Sequence, residues 1–528
     1  WGGTVDPILP ALSRRPVAER SEVPYSDLRA TDLLWTIDGL VHQQRLLPGQ
    51  LPPLLSMIGV RSVVAGSDDD LARSDAPAPA DAAAQLAAQP GFAAPARSYG
   101  PARRFAPTSP GPAVKLSEVR RYDLPSARGL VRIEPRAGPV VVDGSADALA
   151  GLAAFGALPS DRAVLYSGDL VPAQLRSELA GGGQLVISDS NRRAAFVSGA
   201  LEQNIGPVLT PEQDVSADGF IFDPFGRGAD FETVASYAGV RTVQAPASPQ
   251  VPQFPEHAPF AALDGSPTTA WLADPTLGAA GRWLQVDFEH PRAVPYVELL
   301  PFDASVRQVE IGGRQFAVHP GWNRLELRMR AVAGLRVSLT GAVARAAGIS
   351  ELRIPGVRAS EALRLPVDAA RALSGRHLGR VSVTYLFQRT TGDDPFHRDL
   401  NQAPVDVRHP GDAEQTMRRV FELPAPRRFH ASAWVNAFPQ TADDTLDRLA
   451  GYRGPVRATS SRRAGGEPRW RASQAFDGNP GTAWIGDFVP GAGAAWLQVR
   501  SGRPFSVAEL RLRAPAQSVR RPTRVRLT

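Results

Sequence analysis

Three aspartates stand directly after three short apolar segments within residues 138–190, as side chains do at the carboxyl edge of a parallel sheet. Ligands of open parallel sheets sit at that edge. Carboxylates beside hydroxyl and amide groups could hydrogen-bond a sugar or hold a cation there, although Asp and Ser also cap helices and solvate loops. The residues are Asp143, Asp169 and Asp189, with Ser145, Ser167, Ser188, Ser190 and Asn191 beside them.

Three aromatic residues on predicted loops are candidates for stacking on sugar rings: Phe254, Trp322 in the turn Pro320-Gly-Trp-Asn323, and Trp470. An exposed ring offers a flat apolar face, but single aromatic residues are also ordinary on protein surfaces. Four further tryptophans occupy turn and strand positions, where their large apolar area predicts core packing. These are Trp271, Trp283, Trp484 and Trp496.

Several chemistries are excluded or unsupported. The chain has no cysteine, which excludes disulfides, cysteine nucleophiles and thiolate zinc sites. It contains no Gly-x-Gly-x-x-Gly after a strand, no Gly-x-x-x-x-Gly-Lys-Ser/Thr and no His-Glu-x-x-His, so nucleotide binding by those loops and a zinc hydrolase are unsupported. The cluster at 392–399 could hold a metal or contact a sugar, but its residues are also ordinary turn residues. Its ionisable members are Asp393, Asp394, His397 and Asp399.

The elements that would position the three aspartates alternate between strand and helix. Apolar strands at 140–142, 163–166 and 185–187 are separated by helices opened near Ser145 and Val171. Alternation of this kind predicts a Rossmann-like parallel sheet, here over 113–239. Residues 1–112 predict an α/β segment with two helices and a strand, followed by an Ala/Pro-rich linker over 68–112.

An internal repeat organises the second half of the chain. Residues Ala262–Trp271 match Ala475–Trp484, and Trp283–Val286 match Trp496–Val499, both at an offset of 213 residues. Short alternating strands follow the first copy, so we expect a complete β-sandwich over 240–357 and a truncated second copy over 455–528. A further β-sandwich-like domain is predicted over 358–454. The overall fold class is therefore multidomain, α/β followed by all-β.

The repeated Ala-x-Asp-Gly-x-x-x-Thr-x-Trp turn with its Trp-Leu-Gln-Val strand resembles the discoidin domain, or coagulation-factor type C domain. Its bacterial relatives are family 32 carbohydrate-binding modules. The resemblance implies a structural Ca²⁺ held by oxygen ligands around the turn. The implied ligands are Asp264, Thr269 and Glu351 in the first copy, and Asp477, Asn479 and Thr482 in the second; Ser266 departs from the usual Asp or Asn. The alternative is that the aspartates only accept hydrogen bonds from turn amides.

A wider set of segments resembles the extracytoplasmic part of actinobacterial α-(1→3)-arabinofuranosyltransferases. These segments are Trp1–Pro7, Leu54–Val64, Ser188–Arg193 and Val234–Val240. The resemblance implies a membrane-anchored parent that adds arabinofuranose from decaprenyl-phosphoryl arabinose to the arabinan of cell-wall arabinogalactan. Its catalytic acid would lie beside membrane helices, outside this chain. We expect the chain to be a piece of that longer protein, because it starts at Trp1 and its last residues alternate like an unfinished strand.

The predicted function is carbohydrate binding on the outer face of the cell membrane, positioning the glycan acceptor. The expected partners are arabinan, or another cell-wall polysaccharide, and the membrane-embedded remainder of the parent. Two alternatives stay open: a glycan-processing hydrolase that uses Asp143, Asp169 and Asp189 as acid and base at about 5–10 Å separation, and a structural or protein-docking ectodomain.

The positive charge is concentrated at the C-terminal end of the chain. Residues 456–528 carry 13 Arg against four acids, or +9, whereas the whole chain has a net charge of +6. The alternating Arg511, Arg513, Arg524 and Arg526 are typical of solvent faces of strands; an anionic membrane or wall polymer is the second interpretation. No RNA-binding signature interleaves aromatic residues with these arginines, so we expect no nucleic-acid partner.

Overall fold

The computed structural model describes most of the chain, and in the described part no helix is long and apolar enough to span a membrane. The described residues are 13–18, 27–42, 45–68, 78–107, 112–124, 128–134, 138–159, 161–190, 192–193, 208–213, 228–246, 257–274, 277–278, 281–341, 347–375, 381–388, 416–434, 437, 441–454, 456–486, 494–502, 504, 506–514 and 521–528.

The first segment begins with helices and continues into an antiparallel sheet. Helices α1 (Leu28–His42) and α2 (Leu51–Met57) precede strand β1 (Ser62–Gly66). The prediction of a linker over 68–112 is wrong, because helix α3 (Pro79–Ala87) and strand β2 (Arg97–Phe105) lie there. Pro79 opens α3 and alanine favours its helix, whereas eight of the nine β2 residues are exposed and give no apolar alternation. Strand β3 (Val114–Asp123) completes the sheet, in the order β1-β3-β2.

A four-stranded parallel sheet forms the centre of the α/β part. Its strands pair in the order β16 (Ser382–Leu386), β6 (Gln184–Ser188), β4 (Val140–Asp143) and β5 (Val164–Tyr166), and every pair is parallel. All four β4 residues are buried, as a strand covered on both faces requires. The elements are β4 (Val140–Asp143), α4 (Ala148–Ala154), β5 (Val164–Tyr166), α5 (Pro172–Ala180), β6 (Gln184–Ser188), α6 (Asp368–Leu373) and β16 (Ser382–Leu386).

The chain runs from β4 to β5 on one side of β4 and then to β6 on the other side. The carboxyl ends of β4 and β6 are therefore the point at which the strand order reverses, where open α/β sheets bind ligands. Val140 and Val142 pack with α1, α2 and α4 on one face of the sheet. Val141 packs with α5 and α6 on the other face.

The separate β-sandwich predicted over 358–454 is not what the described residues form. Strand β16 adds to the parallel sheet beside β6, and α6 covers that sheet. Strands β15 (Ser360–Arg364), β7 (Val234–Ala238) and β17 (Arg419–Val420) form a separate three-stranded sheet. The sequence of Val381–Phe387 is strand-like, but local sequence carries no information about which distant strand it joins.

A seven-stranded antiparallel sheet covers 242–353 and encloses one large core. The long strand β10 (Trp283–Pro301) shifts register between Asp287 and Tyr296, and residues from both of its halves enter the same core. Register shifts bend strands, which lets the sheet wrap its core. The other strands are β8 (Thr242–Gln244), β9 (Trp271–Leu272), β11 (Gln308–Ile311), β12 (Arg314–Ala317), β13 (Asn323–Ser338) and β14 (Gly348–Arg353).

The C-terminal segment is smaller. Helix α7 (Asp443–Leu449) packs beside β18 (Arg457–Ser460), which pairs with β19 (Leu497–Arg500). Asp443 and Arg463 form a buried ion pair at 3.1 Å that ties α7 to the loop after β18. Residues 506–514 and 521–528 have no regular secondary structure and are exposed, so the alternating arginines predicted on strands lie outside any sheet.

Candidate functional site

Asp143 lies at the carboxyl end of β4 and is completely buried. Its Oδ1 accepts a hydrogen bond from the Ser167 hydroxyl at 3.0 Å, and its carboxyl group lies within hydrogen-bonding reach of Asp368 on α6. Burial raises the pKa of Asp143 well above its usual value, and the neighbouring Asp368 carboxylate raises it further. Burial and the neighbouring carboxyl group therefore both favour the protonated form of Asp143 over the charged form.

The other two predicted aspartates, Asp169 and Asp189, do not pair with Asp143 at the edge of the sheet. Asp169 is exposed and forms an ion pair with Arg29. Asp189 is buried, accepts from Arg419 Nε at 2.8 Å and from the Gln388 amide at 2.8 Å, and so binds the β6 end to the residues after β16. These hydrogen bonds give Asp189 a structural role. Sequence reasoning missed Asp368, the actual neighbour of Asp143; its only signal is an acid inside an apolar run, Leu365–Ala370.

The structure brings together the three residues predicted around the first repeat turn. Asp264 Oδ1 accepts from the Ser266 amide at 2.8 Å, and Asp264 Oδ2 accepts from the Thr269 hydroxyl at 2.8 Å. Glu351 on β14 reaches the same turn, where it accepts from the Gly265 amide and feels the Asp264 charge. Glu351 Oε2 is buried without a hydrogen-bond partner in the described part of the chain.

Burial is the main cause of a Glu351 pKa of about 7, and Asp264 contributes to it, while Arg353 and the Gly265 amide oppose the shift. Burial likewise raises the pKa of Asp264. Two carboxylates, a hydroxyl and an unpartnered carboxylate oxygen form an oxygen-only donor set, which fits a hard cation such as Ca²⁺.

The second repeat has the same turn geometry without the glutamate. The Asn479 amide donates to Asp477 Oδ1 at 2.9 Å, and the Thr482 hydroxyl donates to Asp477 Oδ2 at 2.7 Å. Gly265 and Gly478 adopt φ of 83° and 77°, a conformation that suits glycine. The two Asp-Gly turns are thus equivalent, and among the described residues only the first has a second carboxylate.

Trp322 is 39% exposed and is held by a side-chain turn. Asn323 accepts from the His319 amide at 3.0 Å and donates to the His319 carbonyl at 2.7 Å, and Gly321 takes φ of 92°. The Arg353 guanidinium lies 4.0 Å from the ring centroid of Trp322. One aromatic face is therefore paired with arginine beside an exposed strand surface.

A second arginine–aromatic pair lies on the same sheet and was missed by sequence reasoning. The Arg324 guanidinium lies 3.5 Å from the Tyr296 ring centroid. Arg324 on β13 is opposite Glu298, which in turn is opposite Arg353 on β14. Strand alternation places these side chains outside while Val297, Leu299, Leu325 and Leu327 are buried, so the signal was present in the period-2 pattern.

The remaining predicted aromatic residues have different fates. The ring of Trp470 does not fit the expected exposed stacking position, because the residue is only 6% exposed. Phe254 and the cluster at 392–399 lie outside the described residues. Trp271 is completely buried, as predicted, whereas Trp496 is 53% exposed; the described residues of the second copy form a two-stranded sheet that leaves it uncovered.

Comparison with known proteins relates this chain to glycosyltransferases. Residues 1–220 match the family model "Alpha-(1->3)-arabinofuranosyltransferase, N-terminal GT-C domain". The α-(1→3)-arabinofuranosyltransferase of Mycolicibacterium smegmatis is 25% identical over 339 residues, which are 59% of this chain and 23% of that protein. The enzyme of the same name from Mycobacterium tuberculosis is 24% identical over 332 residues, or 58% of this chain and 22% of that protein.

Solved structures show the same fold. A single-particle cryo-EM structure of a mutant arabinofuranosyltransferase AftD from mycobacteria matches 94% of this chain and 41% of that chain, with a TM-score of 0.66 and 18% identity. A second class of the same mutant matches 91% of this chain and 40% of that chain, with a TM-score of 0.64 and 18% identity. The chain spans less than a quarter of the curated relatives. It is thus similar to one part of an arabinofuranosyltransferase.

Proposed function

We propose that the chain is the extracytoplasmic, carbohydrate-binding part of a membrane-anchored arabinofuranosyltransferase of the cell envelope, and that it holds the arabinan acceptor near a catalytic centre elsewhere in the parent. The observation that carries the proposal is the fold likeness to mycobacterial AftD over 94% of the chain. The matching sequence relatives have the same enzyme name. The seven-stranded sheet would act as a discoidin-like carbohydrate-binding module.

The binding surface we propose is the exposed face of β10, β13 and β14. Trp322 and Tyr296 supply apolar ring faces, and Arg353 and Arg324 lie against them with planar donor groups. Aromatic faces stack on the C–H faces of sugars, and guanidinium N–H groups suit sugar hydroxyls and ring oxygens. Glu298 lies between the two arginines and adds an acceptor.

The Ca²⁺ we propose at Asp264, Thr269 and Glu351 has a structural role. It would neutralise two carboxylates that repel each other and occupy the unpartnered Glu351 Oε2. The ion would thereby fix the turn between β8 and β9 against β14. For the second turn, with Asp477, Asn479 and Thr482, we propose weaker Ca²⁺ binding, because the described residues there supply one carboxylate instead of two.

Glycan binding by the complete chain tests the proposal. Immobilised arabinan and arabinogalactan should retain the chain, and the W322A and R324A variants should be retained less. W434A is the matched control, because Trp434 is 64% exposed but lies outside the sheet. Absence of retention at millimolar glycan, or equal loss in W434A, would contradict the proposal.

A docking role is a second candidate, favoured by one observation. Tyr385, Phe387, Phe421 and Phe429 form an aromatic cluster with ring centroids 4.7–6.4 Å apart. Phe387, Phe421 and Phe429 are 37–45% exposed, and such patches are typical of interfaces. If this role dominates, the F387S/F421S double variant will lose association with the membrane-embedded remainder of the parent but keep any glycan binding.

A further inference from the structure

We propose that Asp143, Asp368 and Ser167 form a binding site for a hard divalent cation of the Mg²⁺ class at the carboxyl edge of the parallel sheet. This site is separate from the Ca²⁺ site at the Asp264 turn. It lies in the α/β part, where β4, the residues after β5 and the start of α6 meet.

The first support is an unpartnered, fully buried carboxylate oxygen. Asp143 is 0% exposed, and no donor in the described part of the chain reaches its Oδ2. Asp368 Oδ1 is also buried without a donor. Unpaired buried carboxylate oxygens destabilise a folded protein, so a ligand that contacts both oxygens would remove that penalty.

The second support is the charge balance. The groups that act most strongly on Asp143 are Asp368, the Ser167 hydroxyl and the Ala369 amide, and none of them is a cation. Two carboxyl groups in contact need either a shared proton or a metal ion between them. The hydroxyl of Ser167 donates to Asp143 Oδ1 and could turn its oxygen toward a bound ion.

The third support is the position and the available oxygens. The site lies where the strand order reverses between β4 and β6, the usual ligand position in such sheets. Gly144 passes so close to β6 that a Cβ there would lie 2.7 Å from the Ser188 carbonyl oxygen, and the buried Ser188 Oγ beside it has no partner among the described residues. A small pocket, whose lining includes Gly144, Ser167 and the guanidinium-bearing Arg29, lies beside this edge of the sheet.

The experiment uses the full chain with the double change D264N/D477N as background, so that neither Asp-Gly turn contributes. Thermal unfolding is measured in EDTA and in MgCl₂ or MnCl₂ at pH 7.5, and Mn²⁺ binding is followed by electron paramagnetic resonance. We expect the ions to raise the melting temperature by a few degrees and to bind one additional Mn²⁺. D143N and D368N should each abolish both effects, whereas D161N, a change of an exposed acid in the same domain, should keep them.

If Asp143 and Asp368 share a proton and bind no metal ion, the expected result is different. The D143N amide can donate to Asp368, so D143N should then match or exceed the parent in stability while neither protein responds to Mg²⁺ or Mn²⁺. That outcome would overturn the cation site. An equal ion response in D143N and in its D264N/D477N parent would also overturn it. Glycan retention is scored in parallel, because its failure would concern the proposed function and not this site.

Discussion

Burial disfavours the charged form of the Glu351 carboxyl group. The proposed role of Glu351 as a Ca²⁺ ligand requires that same charged form. Its pKa of about 7 lies above the ordinary 4.5 because of burial and the nearby Asp264. A carboxyl group whose pKa is raised by folding binds more protons in the folded chain than in the unfolded chain between these two values. Its contribution to stability is therefore present below pH 4.5 and declines as the pH rises toward 7. A metal ion that binds the charged form would reverse this loss.

In EDTA, we expect the melting temperature of the seven-stranded part to fall between pH 5 and pH 8 more steeply in the parent than in E351Q. E351Q should be the more stable protein at pH 8, because glutamine cannot acquire the buried charge. Ca²⁺ should raise the melting temperature of the parent most at pH 8 and leave E351Q unchanged. Identical pH profiles for the parent, E351Q and the control E310Q on β11 would contradict the assignment.

Gly144 is required where β4 leaves the sheet. It has φ of 149°, and an added Cβ would lie 2.7 Å from the Ser188 carbonyl oxygen. G144A should therefore separate the ends of β4 and β6 and lower stability by about 2–4 kcal/mol. Gly156 also has positive φ, 64°, but open space around it, so G156A should cost only about 1 kcal/mol. Similar melting temperatures for the two variants would show that the close approach is unimportant.

At the scale of elements, the buried ion pair of Asp189 and Arg419 joins the end of β6 to the start of β17. The side chains are 2% and 3% exposed. Loss of one partner leaves a buried charge, so R419A should destabilise the α/β part by about 3–5 kcal/mol, whereas the double variant D189N/R419M should recover much of this loss. Chemical denaturation of the single and double variants measures the coupling. Additive losses would mean that the two residues act independently.

The elements that the sequence predicts best are those whose burial follows from local periodicity. Val140–Val142 and Leu185–Ile187 are short apolar strands bounded by turns, and both lie in the parallel sheet. What periodicity could not predict is pairing over long distance: Ser382–Leu386 looks like any sandwich strand but joins β6. Asp368 was missed for the same reason, because only the packing of α6 against the sheet brings it to Asp143.

At the Asp-Gly turn of the first repeat, by contrast, sequence patterns did indicate which residues lie close together. Asp264 and Thr269 are five residues apart, and the repeat pattern placed both; the resemblance to discoidin domains supplied the distant Glu351. Trp470 has the same residue type as Trp322, but it is only 6% exposed. Exposure of a loop aromatic depends on tertiary neighbours and could not be predicted from its position in the sequence.

At the scale of the whole molecule, the two halves of the chain perform different tasks in this account. The α/β part contains a buried carboxyl pair at the edge of its sheet, and the seven-stranded part presents paired aromatic and arginine side chains on an exposed face. The proposed function assigns both parts to binding and positioning; the sequence match covers under a quarter of the curated relatives.

The most direct test is the affinity of the complete chain for an arabinofuranose oligosaccharide, measured by isothermal titration calorimetry in the presence of Ca²⁺. We predict binding that weakens by about 5- to 30-fold in W322A, because loss of an aromatic stacking contact costs about 1–2 kcal/mol, and that is unchanged in W434A. No heat of binding at millimolar oligosaccharide, or equal affinity for the parent and W322A, would contradict the central claim.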